Sequence, residues 1–345
     1  MWRLVSCALA PLLACGTVIE IRDAAIEAQD AAVETPDAAP EDAHPHTDAA
    51  LEDATPYVGP ALLSETGLYV NTASHALAAG VIAYEVQYPL WADGAEKLRY
   101  LSIPVGATID GSDLDAWQFP VGTRAWKEFR ANGRRIETRL LEKLDSGWRM
   151  IAFVWDETET DAMAAPAGAM NARGTEHDVP PAADCKKCHR GAADGLLGVA
   201  AIQLGPTGIA DLVARGALAP LAALAYAPPG AGTTQEVLGY LHANCGHCHN
   251  DRHPAGRNES LRLFLTATAT RVEDTPLYRT TIGTPTRHEF EGTTVAVVPG
   301  APASSQLFVR MRSRVSDAQM PPLATERADD AALQAIQHWI EGLPH

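Results

Sequence analysis

Two short runs of the sequence carry the residue types and the spacing of covalent haem attachment. Residues 185–189 read Cys-Lys-Lys-Cys-His, and residues 245–249 read Cys-Gly-His-Cys-His. The two cysteines of such a run can each add across a vinyl group at one edge of a porphyrin, and the histidine that follows can ligate the iron. We therefore expect two covalently bound haem c groups, each with its iron, on Cys185, Cys188, His189, Cys245, Cys248 and His249.

Two other kinds of site use paired cysteines, a four-thiolate zinc site and a redox dithiol. The two pairs are separated here by 56 residues, whereas paired zinc motifs are spaced by about 15–20 residues. Zinc binding also gives no reason for a histidine directly after both pairs. Neither pair lies in the βαβ pattern of a dithiol redox motif. The spacing favours haem, and zinc and dithiol chemistry stay open as alternatives.

The elements around the second motif can be read from the sequence. Thr233-x-x-Glu236 has the pattern of a capping box and predicts a helix that delivers Cys245 at its C-terminal end. Near the C-terminus, Asp329 and Asp330 predict the start of another helix. The apolar stripe of that helix, which would pack across the first one, consists of Leu333, Ile336, Trp339 and Ile340.

Between these helices the run Ser-Asp-Ala-Gln-Met-Pro-Pro, at residues 316–322, resembles the distal methionine loop of class I cytochromes c. A helix into the haem motif, a methionine loop and a closing helix are the plan of that class. The resemblance implies that His249 and Met320 are the two axial iron ligands of a six-coordinate electron-transfer haem. Met311 is the alternative sulfur ligand.

The region before the first motif predicts an antiparallel β domain. Residues 100–104, 124–129, 135–140 and 148–155 read as strands, and Asn132-Gly133 is a strong hairpin signal. We expect a long loop over 162–183 and a short helix over 209–218. The predicted fold class is α+β and multidomain, with an antiparallel β domain ending in a haem motif, followed by an all-α class I cytochrome c domain. The predicted boundaries are 59–205 for the β-rich haem c domain, 206–232 for the connection and 233–345 for the class I cytochrome c-like domain.

Several motifs in order resemble an uncharacterised bacterial family of dihaem c-type cytochromes. The likeness runs over roughly residues 60–345 and implies a cofactor, two haem c groups, without naming a substrate. The motifs are Pro-Leu-Trp-Ala-Asp-Gly-Ala at 89–95, Phe-Pro-Val-Gly-Thr at 119–123 with Lys127, Glu-Thr-Arg-Leu-Leu at 137–141, Gly-Trp at 147–148 and Leu-Gly-x-x-x-x-Gln-Leu at 197–204.

A more distant likeness concerns the β domain, which is similar to the hydroxylamine-oxidising cytochromes with a lysine cross-linked to haem. The gas-binding β-fold cytochromes c-prime share that fold. Gly122-Thr123 and Lys127 fall on the lysine motif of that family, and Glu137 falls near its distal acid. Lys127 and Glu137 are therefore the candidate catalytic residues. In the alternative, Lys127 is a solvated strand lysine beside Trp126, and Glu137 and Arg139 line the wet face of a strand.

The first haem has no marked distal ligand. Met150, Met163, Met170, His177 and Lys127 are all conceivable. Three hypotheses follow: an electron carrier with two closed haems, a redox enzyme with an open haem at His189 and an exit haem at His249, and a gas-binding protein on the same scaffold. Whether the chain is an enzyme stays open, as does the identity of its redox partner protein.

The N-terminal sequence predicts export. Residues 1–15 read as a signal peptide whose end resembles a bacterial lipobox, so that Cys15 would carry a lipid on the periplasmic side of the cell envelope. Residues 16–58 hold eleven acidic residues and one arginine and predict a disordered acidic tether. The formal net charge of −16 argues against nucleic acid as a partner. No other stretch approaches the ~20 apolar residues of a transmembrane span.

Overall fold

The computed structural model describes residues 57–344 except positions 223, 259, 316 and 317. The predicted leader, the lipid site Cys15 and residues 16–56 of the predicted tether lie outside the described residues. Within the part of the chain that the structure describes, no helix has the length and the apolar character needed to cross a bilayer.

The chain before the first haem motif is built mainly from antiparallel strands. Its strands are β1 (Tyr69–Asn71), β2 (Ala76–Leu77), β3 (Ile82–Ala83), β4 (Glu96–Ser102), β5 (Arg124–Ala131), β6 (Arg134–Leu144), β7 (Gly147–Trp155) and β8 (Ala162–Ala164). Among the described residues, β3 to β8 form one six-stranded sheet in chain order, and β1 pairs with β2 separately. Because each strand pairs with its neighbour in sequence, the sheet is a simple antiparallel meander.

The predicted hairpin at Asn132-Gly133 is confirmed. Both residues have positive φ, 52° and 75°, which is the backbone that a two-residue hairpin turn requires. The predicted strands at 124–129, 135–140 and 148–155 lie within β5, β6 and β7. The prediction of a long loop over 162–183 is wrong at its first three residues, because β8 lies there and pairs with β7 as an edge strand. A strand of three residues is too short to show a periodic pattern in sequence.

The two faces of the sheet differ in chemistry. One face packs on β1 and the segment before it, and its buried side chains include Tyr100, Trp126, Leu140, Ile151 and Phe153. The other face is apolar near one end and charged in the middle. There Arg99, Lys127 and Arg139 stand directly opposite one another on β4, β5 and β6. We call these three residues the cation row.

The helices follow the sheet. They are α1 (Ala182–His189), α2 (Ala201–Ala214), α3 (Thr233–Asn244), α4 (Pro254–Asn258), α5 (Pro276–Thr281), α6 (Gln306–Arg312) and α7 (Asp330–Glu341). The short helix expected over 209–218 is the second part of α2, which begins at Ala201 and ends at Ala214. The two helical pieces of α2 are joined by a kink at Gly205, where φ is 63°. Glycine takes this conformation at little steric cost.

The predicted helix into the second motif is confirmed, but its predicted capping box is wrong. Gly232, not Thr233, is the N-cap residue of α3, and no side chain caps this end. The closing helix α7 starts as predicted, because the side chain of Asp329 accepts a hydrogen bond of 3.0 Å from the Ala332 amide. Ile336, Trp339 and Ile340 are buried in α7, which packs against α3.

The region after the connection is not all-α as expected. Strands β9 (Pro285–Phe290) and β10 (Thr293–Val295) form an antiparallel hairpin between α5 and α6. Glu291 and Gly292 make its turn with φ of 46° and 75°. Most side chains of β9 are exposed, so the strand has no alternating apolar pattern by which the sequence could have revealed it.

One hydrophobic cluster joins the sheet to the helices. It contains Leu101 and Leu141 from the sheet, Leu212 from α2, Leu238 from α3 and Ile336 from α7. Residues on both sides of the predicted connection, 206–232, therefore share one core. The described residues belong to a single compact unit.

Candidate functional site

The first motif lies on α1, which packs against β7. The imidazole Nδ1 of His189 lies 2.7 Å from the carbonyl oxygen of Gly195. Because a carbonyl can only accept, Nδ1 carries the proton and Nε2 keeps a free lone pair. A hydrogen bond of this kind fixes the ring orientation of metal-ligating histidines. His189 is therefore held in the form and orientation that suit an iron ligand.

The second motif begins where α3 ends. Cys245 is the C-cap residue, and the amides of Cys248 and His249 donate to its carbonyl oxygen at 3.0 and 2.9 Å. Nδ1 of His249 is buried and has no hydrogen-bond partner among the described residues. A buried imidazole with unmet bonding capacity is rare in folded proteins unless a ligand or metal completes it.

Both motif histidines are neutral at physiological pH. Burial lowers the pKa of His189 to about 3, and the charge of Lys127 adds to the effect. Burial likewise lowers the pKa of His249 to about 4. Neutral imidazole is the form that binds a metal. Together with four free cysteines, these side chains fit haem c at both motifs.

The two motifs pack directly against each other. The side-chain amide of Asn250 donates to the carbonyl oxygens of Gly191 and His247, at 3.2 and 3.1 Å. Nε2 of His253 donates to the carbonyl oxygen of Lys187 at 2.6 Å. We call this contact the motif interface; it comprises Lys187, Cys188 and Gly191 on one side and His247, Cys248, Asn250 and His253 on the other.

The motif interface uses residues that sequence reasoning missed. Asn250 and His253 are 6% and 4% exposed and hold the two motifs together. Their only signal in the sequence is their position directly after the second motif. That signal does not reveal that their partners lie about 60 residues earlier in the chain.

The thiols of Cys188 and Cys248 meet at the motif interface. They share a hydrogen bond, which lowers the pKa of the Cys188 thiol and raises the pKa of the Cys248 thiol. Burial raises the pKa of Cys245 to about 12. In the described part of the chain no three His, Cys, Asp or Glu side chains converge as a metal site would need. The four thiols are thus not gathered as the zinc alternative requires.

The predicted methionine loop is tied to the end of α6. The amide of Met320 donates to the carbonyl oxygen of Arg310 at 3.0 Å, and the charge of Arg310 in turn acts on His249. The structure therefore brings the Met320 backbone to a residue that lies near the second motif histidine. Met311, the alternative ligand, is buried in the hydrophobic core at 6% exposure.

The motif at residues 89–95 connects the sheet to this region. The backbone amide of Trp91 donates to the side-chain oxygen of Asn244 at 2.6 Å, at the end of α3. The carboxylate of Asp93 accepts from the amides of Glu326 and Arg327, both at 3.0 Å, in the segment after Met320. This loop therefore holds the chain on both sides of the predicted second haem.

Glu137 is fully buried and does not line a wet strand face. Its carboxylate accepts from Arg139 at 2.5 and 2.9 Å and from Nε2 of His177 at 2.7 Å. Burial acts to raise the pKa of Glu137, but Arg139 and His177 outweigh it and hold the pKa below its ordinary value. Glu137 is thus an ionised carboxylate inside a charged cluster.

Lys127 lies within electrostatic reach of His189 and Cys188. Burial, with the charges of Arg99 and Arg139, lowers the pKa of Lys127 to about 7. The lysine is thus half-buried beside the first motif and is not an ordinary solvated strand lysine.

The other distal ligands conceivable for the predicted first haem are exposed, packed against the core or engaged in a hydrogen bond. Met163 and Met170 are 67% and 75% exposed. Met150 packs against the hydrophobic core, and His177 is engaged with Glu137.

The family model described as Planctomycete cytochrome C (PSCyt1) matches residues 286–323 of the chain. The matched segment runs from β9 through α6 to the Met320 loop and includes neither cysteine motif. The match supports a c-type cytochrome region and, with it, a haem-binding electron-transfer protein with covalently bound haem c. It also suggests an extracytoplasmic location. No curated protein and no solved structure matches the chain significantly.

Proposed function

We propose that the chain is an exported dihaem c-type cytochrome that transfers electrons. The observation that carries the proposal is the pair of half-buried, neutral histidines, His189 and His249, each directly after two free cysteines. The family match to residues 286–323 supports the C-terminal part of the proposal.

Each residue of the proposed sites has one task. Cys185 and Cys188 hold the first haem, and Cys245 and Cys248 hold the second. His189 would ligate its iron through Nε2, as the hydrogen bond from its Nδ1 to the carbonyl oxygen of Gly195 favours, and His249 would ligate the second iron. Met320 would supply a thioether ligand to the iron held by His249, and because thioether sulfur favours ferrous iron this haem would have the higher potential of the two. When bound, haem supplies one-electron exchange between ferrous and ferric iron.

The test is the haem content of protein made in a host that attaches haem c. We expect two haems per chain from a pyridine haemochrome assay, and an intact mass that includes both. A variant with Cys185→Ser and Cys188→Ser should retain one haem, and so should the matched variant with Cys245→Ser and Cys248→Ser. Colourless wild-type protein with the mass of the polypeptide alone would refute the proposal.

Export and a lipid anchor belong to the same proposal. They are supported by the leader-like sequence at residues 1–15 and by Cys15 at its end. The lipid would hold the protein to a membrane on the periplasmic side. Cys15→Ser should move the protein from the membrane fraction to the soluble periplasmic fraction, and unchanged membrane association would contradict the anchor.

A second candidate function is a redox enzyme or gas-binding protein with an open haem at His189 and an electron-exit haem at His249. It is favoured by the charged groups beside the first motif, which include the candidate catalytic residues Lys127 and Glu137. A ferrous carbon monoxide difference spectrum separates the two candidates, because a closed haem gives no change. The mass of the peptide that contains Lys127 tests the lysine–haem link independently.

A further inference from the structure

The cation row crosses the sheet beside the first motif. Lys127 is directly opposite Arg99 on one side and Arg139 on the other. Like charges directly opposite each other on neighbouring strands destabilise a sheet. Buried charges also need a partner, because desolvation penalises them strongly. An arrangement of this kind calls for a negative charge that compensates it.

The carboxylates of the sheet do not supply enough of that charge. Glu137 is paired with Arg139. Arg99 is 7% exposed, and among the described residues its guanidinium group donates to the carbonyl oxygen of Lys97 at 3.2 Å and has no carboxylate partner; Glu85 acts on it from a distance. Within the described part of the chain, the ammonium group of Lys127 has neither a hydrogen bond nor an ion pair. Two strands therefore carry cations without a carboxylate partner.

Two members of the cation row, Lys127 and Arg139, line a cavity of about 60 Å³. Its lining includes Lys97, Lys127, Arg139, Phe129 and His177. Lys97 is a fourth cation on the same sheet face, and its ammonium group donates to a backbone carbonyl. A cavity of this size, with three cationic side chains converging on it, has room for a carboxylate or a small oxyanion.

Acidic residues at the cavity are engaged elsewhere. The carboxylate of Asp93 accepts from two backbone amides of the segment after Met320. Asp178 accepts from the amide of Asn171 at 2.7 Å, and Glu326 is exposed. None of the three makes an ion pair with Lys97 or Lys127 in the part of the chain that the structure describes. At the cavity, Lys97 and Lys127 therefore have no direct carboxylate partner among the described residues; Asp93 acts on Lys97, and Glu137 on Lys127, through space.

The repulsion can be relieved in two ways. The guanidinium groups of Arg99 and Arg139 keep their charge at any working pH, so either a lysine loses its proton or an anion binds. Burial, followed by the neighbouring cations, lowers the pKa of Lys97 and of Lys127 to about 7. An anion would return both lysines to their charged form.

We propose that Lys97, Lys127 and Arg139 form a binding site for an anion with carboxylate or small-oxyanion chemistry. The anion has two possible sources, a propionate group of the haem at the first motif or a free oxyanion in the cavity. The haem source rests on the proposed function, whereas the free-anion source does not. In either case the lysines hold the anion and Arg139, already paired with Glu137, supports it electrostatically.

The experiment compares the wild-type holoprotein with Lys127→Met and with a matched control, Lys143→Met. Lys143 lies on β6 but is already neutralised by Asp194 at 2.5 Å. Haem content is measured first in every sample. Sodium nitrite or sodium formate is then titrated at constant ionic strength, with the thermal midpoint and the visible spectrum as readouts. The midpoint potentials of the haems are measured in parallel. Lys97→Met serves as a second variant if Lys127→Met does not fold.

Each source has its own signature. A free anion raises the thermal midpoint of the wild type, and Lys127→Met weakens the apparent affinity about tenfold or more because a charge-assisted hydrogen bond is lost. If the anion is a haem propionate, added anion leaves the thermal midpoint of the wild type unchanged. Lys127→Met then lowers one haem midpoint potential, because a cation that disfavours ferric iron has been removed. Lys143→Met changes neither readout.

The proposal is overturned if Lys127→Met and Lys97→Met behave like Lys143→Met in both the anion titration and the potentials. Failure of the proposed function, which is the absence of haem at the first motif, is detected separately by the haem measurement. A sample that lacks the haem at the first motif fails the haem measurement, and the anion titration of that sample still tests the site through its thermal midpoint.

Discussion

Gly191 lies so close to the carbonyl oxygen of His247 that a Cβ at this position would stand 1.6 Å from that oxygen. Only a residue without a side chain allows the two cysteine motifs to approach this far. Asn250 completes the contact by donating to the carbonyl oxygens of both residues. The consequence is that the attachment thiols Cys188 and Cys248 face each other.

We expect Gly191→Ala to move the two cysteine motifs apart at the motif interface. In haem-free protein, mild oxidation of the wild type should link Cys188 to Cys248, and peptide mass spectrometry should detect the link. The alanine variant should form this link at least about tenfold less, since its Cβ cannot approach a carbonyl oxygen this closely. Gly342→Ala is the matched control, because its Cβ would meet its nearest neighbour at 3.4 Å. Equal linking in both variants would show that the motifs do not depend on this contact.

The same relationship predicts that two haems on these motifs interact magnetically. If Cys188 and Cys248 each hold one porphyrin edge, as proposed, the two edges would lie close together. We expect the electron paramagnetic resonance spectrum of the oxidised protein to show coupling between the two irons. A spectrum that is the plain sum of two isolated ferric haems would contradict the expectation.

Gly195→Ala should raise the reduction potential of the haem at His189. Gly195 has φ of 74°, and a Cβ there would stand 2.7 Å from Cδ1 of Trp148, so the local backbone or the Trp148 ring has to move, and we expect the hydrogen bond between its carbonyl oxygen and Nδ1 of His189 to lengthen. A weaker hydrogen bond to Nδ1 makes the imidazole a poorer donor to ferric iron. We expect a shift of roughly 60 mV, the one-electron equivalent of a tenfold change. The control is Gly216→Ala, because Gly216 has φ of 70° and no neighbour within 4 Å, so that this variant introduces backbone strain alone. An equal shift in reduction potential in the control would show that the hydrogen bond to His189 is not the cause.

Met320→Ala should lower one midpoint potential and let ferrous carbon monoxide bind at that haem. The loss of the thioether removes the ligand that favours ferrous iron and opens the sixth position. Met311→Ala is the control, because Met311 is a core residue. It should cost about 2–5 kcal/mol of unfolding free energy and leave carbon monoxide binding unchanged. The opposite pattern would identify Met311 as the ligand.

Glu137→Gln should destabilise the protein most at neutral pH. Loss of the carboxylate leaves Arg139 without its buried partner, which typically costs about 3–5 kcal/mol. Since the pKa of Glu137 is lowered in the folded protein, its stabilisation is present above the unfolded pKa of about 4.3 and is lost as the pH falls through the folded pKa. Urea unfolding should therefore show a large difference from the wild type near pH 7 and a smaller one in strong acid.

The control for this prediction is Glu157→Gln. Glu157 pairs with Arg134 at 2.7 Å, but its side chain is 75% exposed. Its loss should change stability by no more than about 0.5 kcal/mol. A Glu137→Gln penalty that is equally small, or that does not diminish toward acid pH, would show that the carboxylate does not stabilise the fold through its charge.

Features that depend on a few neighbouring residues could be predicted from the residue types alone. The two cysteine motifs, the hairpin at Asn132-Gly133 and the helix start at Asp329 are of this kind. Attachment chemistry, turn backbone and helix capping are set within three or four positions, so their residue types suffice to predict them.

The contacts between these local features depend on the complete fold and could not be predicted in the same way. The cation row depends on the register of three strands, and the contact of Gly191 with His247 joins positions that are more than 50 residues apart. The burial of Glu137 could not be predicted from the sequence either, because a charged residue in a strand is ordinarily solvated. Register, burial and long-range packing are properties of the folded chain as a whole, since each depends on residues that are distant in sequence.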